Sequence, residues 1–392
     1  MTWGSRRSGV AALAALTLPL MTACQASTAE VTVATASPAP PDEVVAAEKR
    51  AQTTLESLDR AQRVGQLLMV GVDVRAATRA TAWVSRYHLG GVLLTGSTEL
   101  TVDQAKKATD ALHNAAEEDP RPMVAVDQGG GANQTLRGTD FFDIPSAAEQ
   151  ATWNASDTTK CTELWASALH LAGVDLTLSP VADTVLTDIV EDNPVVGKTD
   201  RALGTEPKAV SLKVDQIVKA ITNQEVIATV RDFPGVGRLL TDPASSDSAV
   251  DAQMTIDDPQ IAPFITGIEA GAGAVLISTA TYPQLGEETP AVYAKPVISG
   301  LLRDVIGFKG VAISDDLSDT QAAAVHPLQE RGVRFIQAGG DVVVSANSSK
   351  SLAILTGMLE ADQKDAEFSE LVDKAALRVL AMKAEHGIIT CD

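Results

Sequence analysis

Histidine and cysteine are scarce in this chain of 392 residues, at five and three. No spacing among them fits a metal site, and neither a GxGxxG turn nor a P-loop occurs, so no metal or nucleotide cofactor is expected. Aromatic residues make up only 4% of the chain, too few for a stacking platform along a long glycan. Basic residues number 31 against 51 acidic ones, a formal charge of −20. A surface of that sign repels phosphate backbones, which argues against nucleic acid as a partner. Beyond the N-terminal 24 residues no apolar run is long enough to span a bilayer. What the chain does have is apolar content: hydrophobic residues make up 45%, enough for one large core or two modest ones.

The N-terminus reads "MTWGSRRSGVAALAALTLPLMTAC". Two arginines, a short apolar run and small residues follow the order of an export signal. A Cys directly after "MTA" resembles a bacterial lipobox, whose Cys is acylated and becomes the new N-terminus. This predicts a signal peptide over 1–23 and lipidation at Cys24. A plain cleaved signal or a single-span anchor is the alternative. Residues 24–48 are rich in Ala, Thr, Ser and Pro, a composition that suits a flexible tether. The folded domain is expected over 49–392. Cys161 and Cys391 form either a disulfide closing most of that domain, as an extracytoplasmic location permits, or two unrelated buried thiols.

From Leu58 onward, eight apolar β-rich runs alternate with stretches of helical periodicity. The runs are Gln66–Val72, Gly90–Gly96, Pro122–Gln128, Asp175–Asp183, Val226–Gly235, Ala274–Ala280, Gly310–Leu317, and a last one ending at Asn347. Glycine ends several helices, as in "HLAGVDL", "GIEAGAGAV" and "IQAGGDVV", where it permits a left-handed cap. The acidic segment "LEADQKDAEFSELVDKAALRVLAMKAEHG" reads as the closing helix. Eight buried parallel strands predict an α/β (β/α)8 TIM-type barrel, with a doubly wound open sheet as the alternative. Chemistry in such a barrel sits where strands end. The polar residues there are Asp127, Gln128, Asp183, Arg231, Asp232, Asp315, Asp316 and Asn347. Recurring carboxylates without a nucleotide motif point toward carbohydrate chemistry.

The segments "VGQLLMVGV", "VAVDQGGGANQTLRG", "GVDLTLSPVAD", "DRALGTEP", "DFPGVG", "LLRDVIGFKGVAISDDLS" and "AGGDVVV" occur in the order found in family 3 glycoside hydrolases. The chain most resembles their single-barrel β-N-acetylhexosaminidases, which act on peptidoglycan-derived sugars. The resemblance implies a retaining mechanism, in which a carboxylate attacks the anomeric carbon and an acid/base group moves the proton. It assigns Asp315, first of the "SDD" aspartates, as the nucleophile. Asp127 matches the aspartate that grips sugar hydroxyls, and Arg201 an arginine of the substrate pocket. On residues alone, such aspartates could equally cap helices, and Arg201 could pair with a surface carboxylate.

The chain also departs from the family pattern. "DQEGGRV" is here "DQGGGAN", with Gly129 in place of a carboxylate, Ala132 in place of an arginine, and Thr135 at a second arginine position. "KHFPGHG" is here "RDFPGVG", which puts Arg231, Asp232 and Val236 where Lys and two His stand. The "DSH" acid/base dyad is here Asp247, Ser248 and Ala249, and alanine moves no proton. Of the five histidines, His113 and His170 fall in helical stretches, His88 precedes a strand and His386 lies near the C-terminus. His326 alone follows a strand end. The expectation is an envelope lipoprotein with an impaired glycosidase barrel that binds a peptidoglycan fragment or amino sugar. Alternatively it binds an envelope protein such as a peptidoglycan hydrolase. The competing expectation is an active β-N-acetylglucosaminidase using Asp315.

Overall fold

The structure is a computed structural model, and it describes residues 41–116 and 119–389. Cys24 and Cys391 lie outside the described residues. Cys161 is buried on the helix Ala155–Leu171.

The eight expected runs form eight parallel strands: β1 Leu68–Asp73, β2 Gly91–Thr95, β3 Met123–Val126, β4 Leu176–Thr177, β5 Ile227–Phe233, β6 Ala274–Ile277, β7 Val311–Asp316 and β8 Val342–Ser345. They follow one another around a closed barrel. Closure is made by β1, which pairs with β2 (Met69↔Gly91) on one side and β8 (Leu68↔Val343) on the other. The open-sheet alternative is thereby excluded. Each strand is buried on both faces because side chains fill the barrel inside and helices cover it outside. That is why the strands read as continuous apolar runs and not as an alternation.

Helices begin at legible caps. Thr101 and Gln104 form a reciprocal capping box before Val102–His113, as Ser146 and Glu149 do before Ala147–Gln150. The expected glycine stops are present, with positive φ at Gly173, Gly271 and Gly339. At the barrel floor, Lys383 is fully buried and donates to Gln66 Oε1 and the Arg121 carbonyl, both at 2.7 Å. Burial pulls its pKa down to about 7.

Three expectations need correction. The helix Pro41–Ser57 starts inside the segment expected to be tether. It packs on Ala366–Glu385, with Ala47 and Ala51 buried, so Ala47, which composition assigned to a linker, is part of a packing face. The run Asp175–Asp183 is strand only at Leu176–Thr177, with a single further bridge from Val181 to Arg231. Pro180 interrupts it because it has no N–H for the ladder. The closing helical segment is two helices, Ser348–Lys364 and Ala366–Glu385. They are divided at Asp365, whose extended backbone and side-chain acceptance from Glu367 N make it a cap.

Candidate active site

The C-terminal end of β7 holds two consecutive aspartates with different fates. Asp316 Oδ1 accepts from the backbone N–H groups of Ser318 and Ala346, both at 2.9 Å, and from the Ser318 hydroxyl. Its Oδ2 accepts from Asp319 N at 3.0 Å. Asp316 therefore stitches the turn after β7 to the turn after β8. Asp315 accepts from Asp316 N at 2.8 Å and, at 3.4 Å, from the Thr279 hydroxyl on the neighbouring β6 end. Its carboxylate lines a mouth cavity of about 340 Å³, together with Asp127, Arg231 and Thr95. Both aspartates line the cavity, and what separates them is that the hydrogen bonds of Asp316 are taken up by the two turns.

On the far side of β6, the end of β5 supplies Arg231 and Asp232. Arg231 Nη1 donates to Asp127 Oδ2 and its Nε to Asp232 Oδ1, each at 3.0 Å. Asp127 also accepts from Asn133 Nδ2 at 3.1 Å. Asp232 is buried, with its N–H donated to Asp183 Oδ2 at 3.1 Å, while Asp183 Oδ1 takes Val236 N–H. Arg201 Nη2 lies 3.7 Å from Asp232 Oδ2, and neither of these two atoms has a hydrogen-bond partner. Asp127, Arg201, Arg231, Asp232 and Asp315 are thus brought together as expected.

Electrostatics follow from crowding. Burial, then the charge of Asp232, pushes Asp315 up to about 6, against the opposing charge of Arg231. Asp183 is raised well above the carboxylate range, first by burial and then by Asp232. Burial opposes the charge on Arg231, yet Asp232, Asp127 and Asp315 hold it more firmly protonated than usual.

The proton-handling positions fare differently. Asp247 is exposed and lines no part of the mouth cavity. Ala249 is buried in the core, and its carbonyl accepts from Thr281 N at 2.9 Å. Val236, matched to another family histidine, is buried as well. The loop is bolted: Arg238 pairs with Asp251 at 3.3 Å and Asp258 at 2.8 Å, and Asn193 donates to the carbonyls of Val236 and Leu239. The Gly129 position is open, since an added Cβ would meet nothing nearer than Asp127 Oδ1 at 3.8 Å. No histidine lines the cavity. His113 pairs with Asp175 at 2.8 Å, His170 lies 3.7 Å from Glu225, His386 contacts the Met382 carbonyl and His88 caps a helix. His326 packs against the Tyr293 ring, with centroids 5.0 Å apart.

Sequence reasoning missed Asn133, Thr279 and the anchoring role of Asp183. Thr279 directly follows "LIS" of β6, so its place at a strand end was the available signal. Asn133 carried none, because its contact depends on the fold of the loop after β3.

A closed parallel barrel with a cavity-facing carboxylate on β7 and an Arg–Asp cluster on β5 has the layout of a glycosidase barrel. The glycosyl hydrolase family 3 N-terminal domain model matches residues 60–382, and the chain belongs to that family. A beta-hexosaminidase from Xanthomonas axonopodis pv. citri is 31% identical over 294 residues, covering 71% of this chain and 83% of that protein. The crystal structure of a beta-N-acetylhexosaminidase from Beutenbergia cavernae superposes with a TM-score of 0.80 at 33% identity, covering 83% of this chain and 99% of that one. A family 3 beta-N-acetylglucosaminidase from a Paenibacillus species gives 0.75 at 25% identity, over 86% of this chain and 65% of that one.

Proposed function

We propose that this protein is an extracytoplasmic lipoprotein, anchored through Cys24, whose barrel binds an amino sugar or peptidoglycan fragment and is impaired as a hydrolase. It acts by binding, or by regulating an envelope protein such as a peptidoglycan hydrolase. The observation that carries the impaired reading is Ala249, buried and hydrogen-bonded where the family's acid/base histidine stands. Exposed Asp247 does not replace it at the cavity. Loss of general acid–base catalysis costs about 10² to 10⁴-fold in rate.

A second reading, an active β-N-acetylglucosaminidase, is favoured by one observation. Asp315 is placed at the cavity with its Oδ1 held by Asp316 N, a preorganised carboxylate. The two readings part at the leaving group. A 2,4-dinitrophenolate departs without protonation, whereas a sugar alkoxide does not. The purified protein is therefore expected to release dinitrophenol from its N-acetyl-β-glucosaminide and, with added azide, to form the β-glycosyl azide. The β-1,4-linked N-acetylglucosamine disaccharide should stay intact. Cleavage of that disaccharide within about 10²-fold of the aryl rate would mean that a working acid exists, and would overturn the impaired reading.

A further inference from the structure

We propose that the loop after β5, residues 234–261, is a docking surface for a protein whose own contact face is apolar and ringed by lysine and arginine. Leu240, Val250 and Ile256 on this loop are exposed, at 65%, 45% and 49%. One exposed apolar side chain is ordinary; a cluster is not. The ion pairs of Arg238 with Asp251 and Asp258 make these three a cluster. Each stands within two residues of a member of that clamp, a span of about 7 Å at most. Val325, 48% exposed, joins them from the turn after β7. That turn is fastened to the loop by Gln321 N and Ala322 N, which donate to the carbonyls of Ala244 and Pro243 at 3.1 and 3.0 Å.

The charges around the patch decide what it takes. From Leu239 to Ala294 the chain has eight Asp and Glu residues and no Lys, Arg or His. Arg238 occupies Asp251 and Asp258. Asp247 and Asp257 remain exposed on the loop. Glu287 and Glu288 lie in the next turn, between Thr281, which bridges to Val250, and Pro290, which bridges to Thr281. On the Val325 side the cations are taken up. Arg331 donates to the carbonyls of His326, Leu317 and Ser318, and Arg334 pairs with Glu330. An apolar patch with an acidic rim fits a partner face with the reverse rim. The same signs act against a second copy of this chain and against an anionic lipid surface.

The clamped backbone suits this use. Asn193 holds the carbonyls of Val236 and Leu239, so the apolar side chains stand on a fixed support and little further ordering is needed on binding. None of the four lines the mouth cavity. That the cell supplies such a protein rests on the reading of the barrel as a regulator of an envelope protein; the place and its chemistry rest on the loop alone.

The full chain, purified without lipid as the Cys24→Ser variant, is titrated with three labelled peptides of equal length, followed by fluorescence anisotropy. One is made of leucine and lysine, one of leucine and glutamate, and one of serine and lysine. The leucine–lysine peptide is expected to bind at least about tenfold more tightly than either of the others, and more weakly as salt rises. Leu240→Ser, Val250→Ser and Ile256→Ser together should erase that preference while leaving the urea midpoint unchanged, since all three positions are exposed. Asp247→Asn with Asp257→Asn should weaken the leucine–lysine peptide severalfold. Undiminished preference in the triple serine variant, or either control peptide binding as tightly as leucine–lysine, would overturn the proposal. A photo-reactive aryl ketone at exposed Ala244 of the full-length protein in its own membranes then tests the regulator reading, with exposed Leu171 as the control position. A discrete adduct with another protein is expected at Ala244 only, and not in the triple serine variant. If the peptide preference holds and no adduct forms, the regulator reading falls and the surface chemistry stands. If an adduct survives the serine changes and the peptide preference is absent, the surface falls and the regulator reading stands. An adduct joining two copies of this chain overturns the partner assigned here.

Discussion

The ends of β5 and β7 flank that of β6 at the mouth, and both carry consecutive charged residues. At β7 the work is divided: Asp316 is consumed by four hydrogen bonds that hold the turns, which leaves Asp315 to the cavity. At β5 both charged side chains are drawn into one buried cluster, in which only Asp232 Oδ2 has no hydrogen-bond partner. Arg231 is committed to Asp127 and Asp232, and Asp232 to Arg231 and, through its N–H, to Asp183. The loop that follows is clamped by Arg238 between two buried carboxylates. One strand end keeps a group at the cavity by spending its neighbour on structure; the other ties its charges to one another and leaves a single buried oxygen, Asp232 Oδ2, unpaired. Binding survives such a change more readily than proton transfer, because a hydrogen-bonded cluster can still exchange partners with a hydroxyl.

The sharpest way to break this comparison is Asp315→Asn. It is expected to abolish dinitrophenol release and any glycosyl adduct seen by intact mass, without lowering stability at neutral pH, since it removes a charge that burial disfavours. An unchanged rate would show that the β7 end has no role in the chemistry.

Next in size is Arg238→Ala, which leaves Asp251 and Asp258 buried without their cation. A loss of about 3 kcal/mol in urea unfolding is expected, and a loss near zero would mean the loop is not clamped. Asp316→Asn should cost about 1–2 kcal/mol by removing charge from a multiply bonded cap, while dinitrophenol release persists. The pair Asp315→Asn and Asp316→Asn thus separates chemistry from structure at adjacent positions.

The smallest effect is in pH. The folded value for Asp315, about 6, lies above its ordinary value of 3.8, so as pH falls the folded state takes up this proton before the unfolded chain does. Its contribution therefore makes the protein more stable as pH drops from about 6 toward 3.8, and less stable above. Dinitrophenol release runs the other way and declines as pH falls through about 6, because the attacking carboxylate must be ionised. Asp232→Asn removes a neighbouring negative charge and should move that decline to lower pH. A decline that does not move would place Asp232 outside the field felt by Asp315.

Much of the fold was legible because its determinants are local. Strands buried on both faces read as apolar runs of strand length, and the glycine at 339 marks a helix end through a backbone conformation that other residues resist. The gathering of Asp127, Arg231, Asp232 and Asp315 was legible through their strand-end positions, and that of Arg201 through the family resemblance alone. Their division of labour was not. Nothing in "SDDLS" says that the second aspartate caps two turns while the first faces the cavity. Nor does "SDSAV" reveal that Ala249 is a packing residue beside Thr281. Composition was misleading at residues 41–48, where Ala47, read as linker, is buried against a partner helix.

The amino-acid sequence by itself determined the barrel, the order of its strands and which side chains stand at the strand ends, because periodicity and capping act over a few residues. Only the tertiary structure decided which of those side chains are free. Arg231 meets Asp127 across 104 positions of chain, and the burial that lifts Asp315 comes from residues on other strands. Desolvation and ion pairing depend on distance in space, and that distance exists only once the barrel has closed.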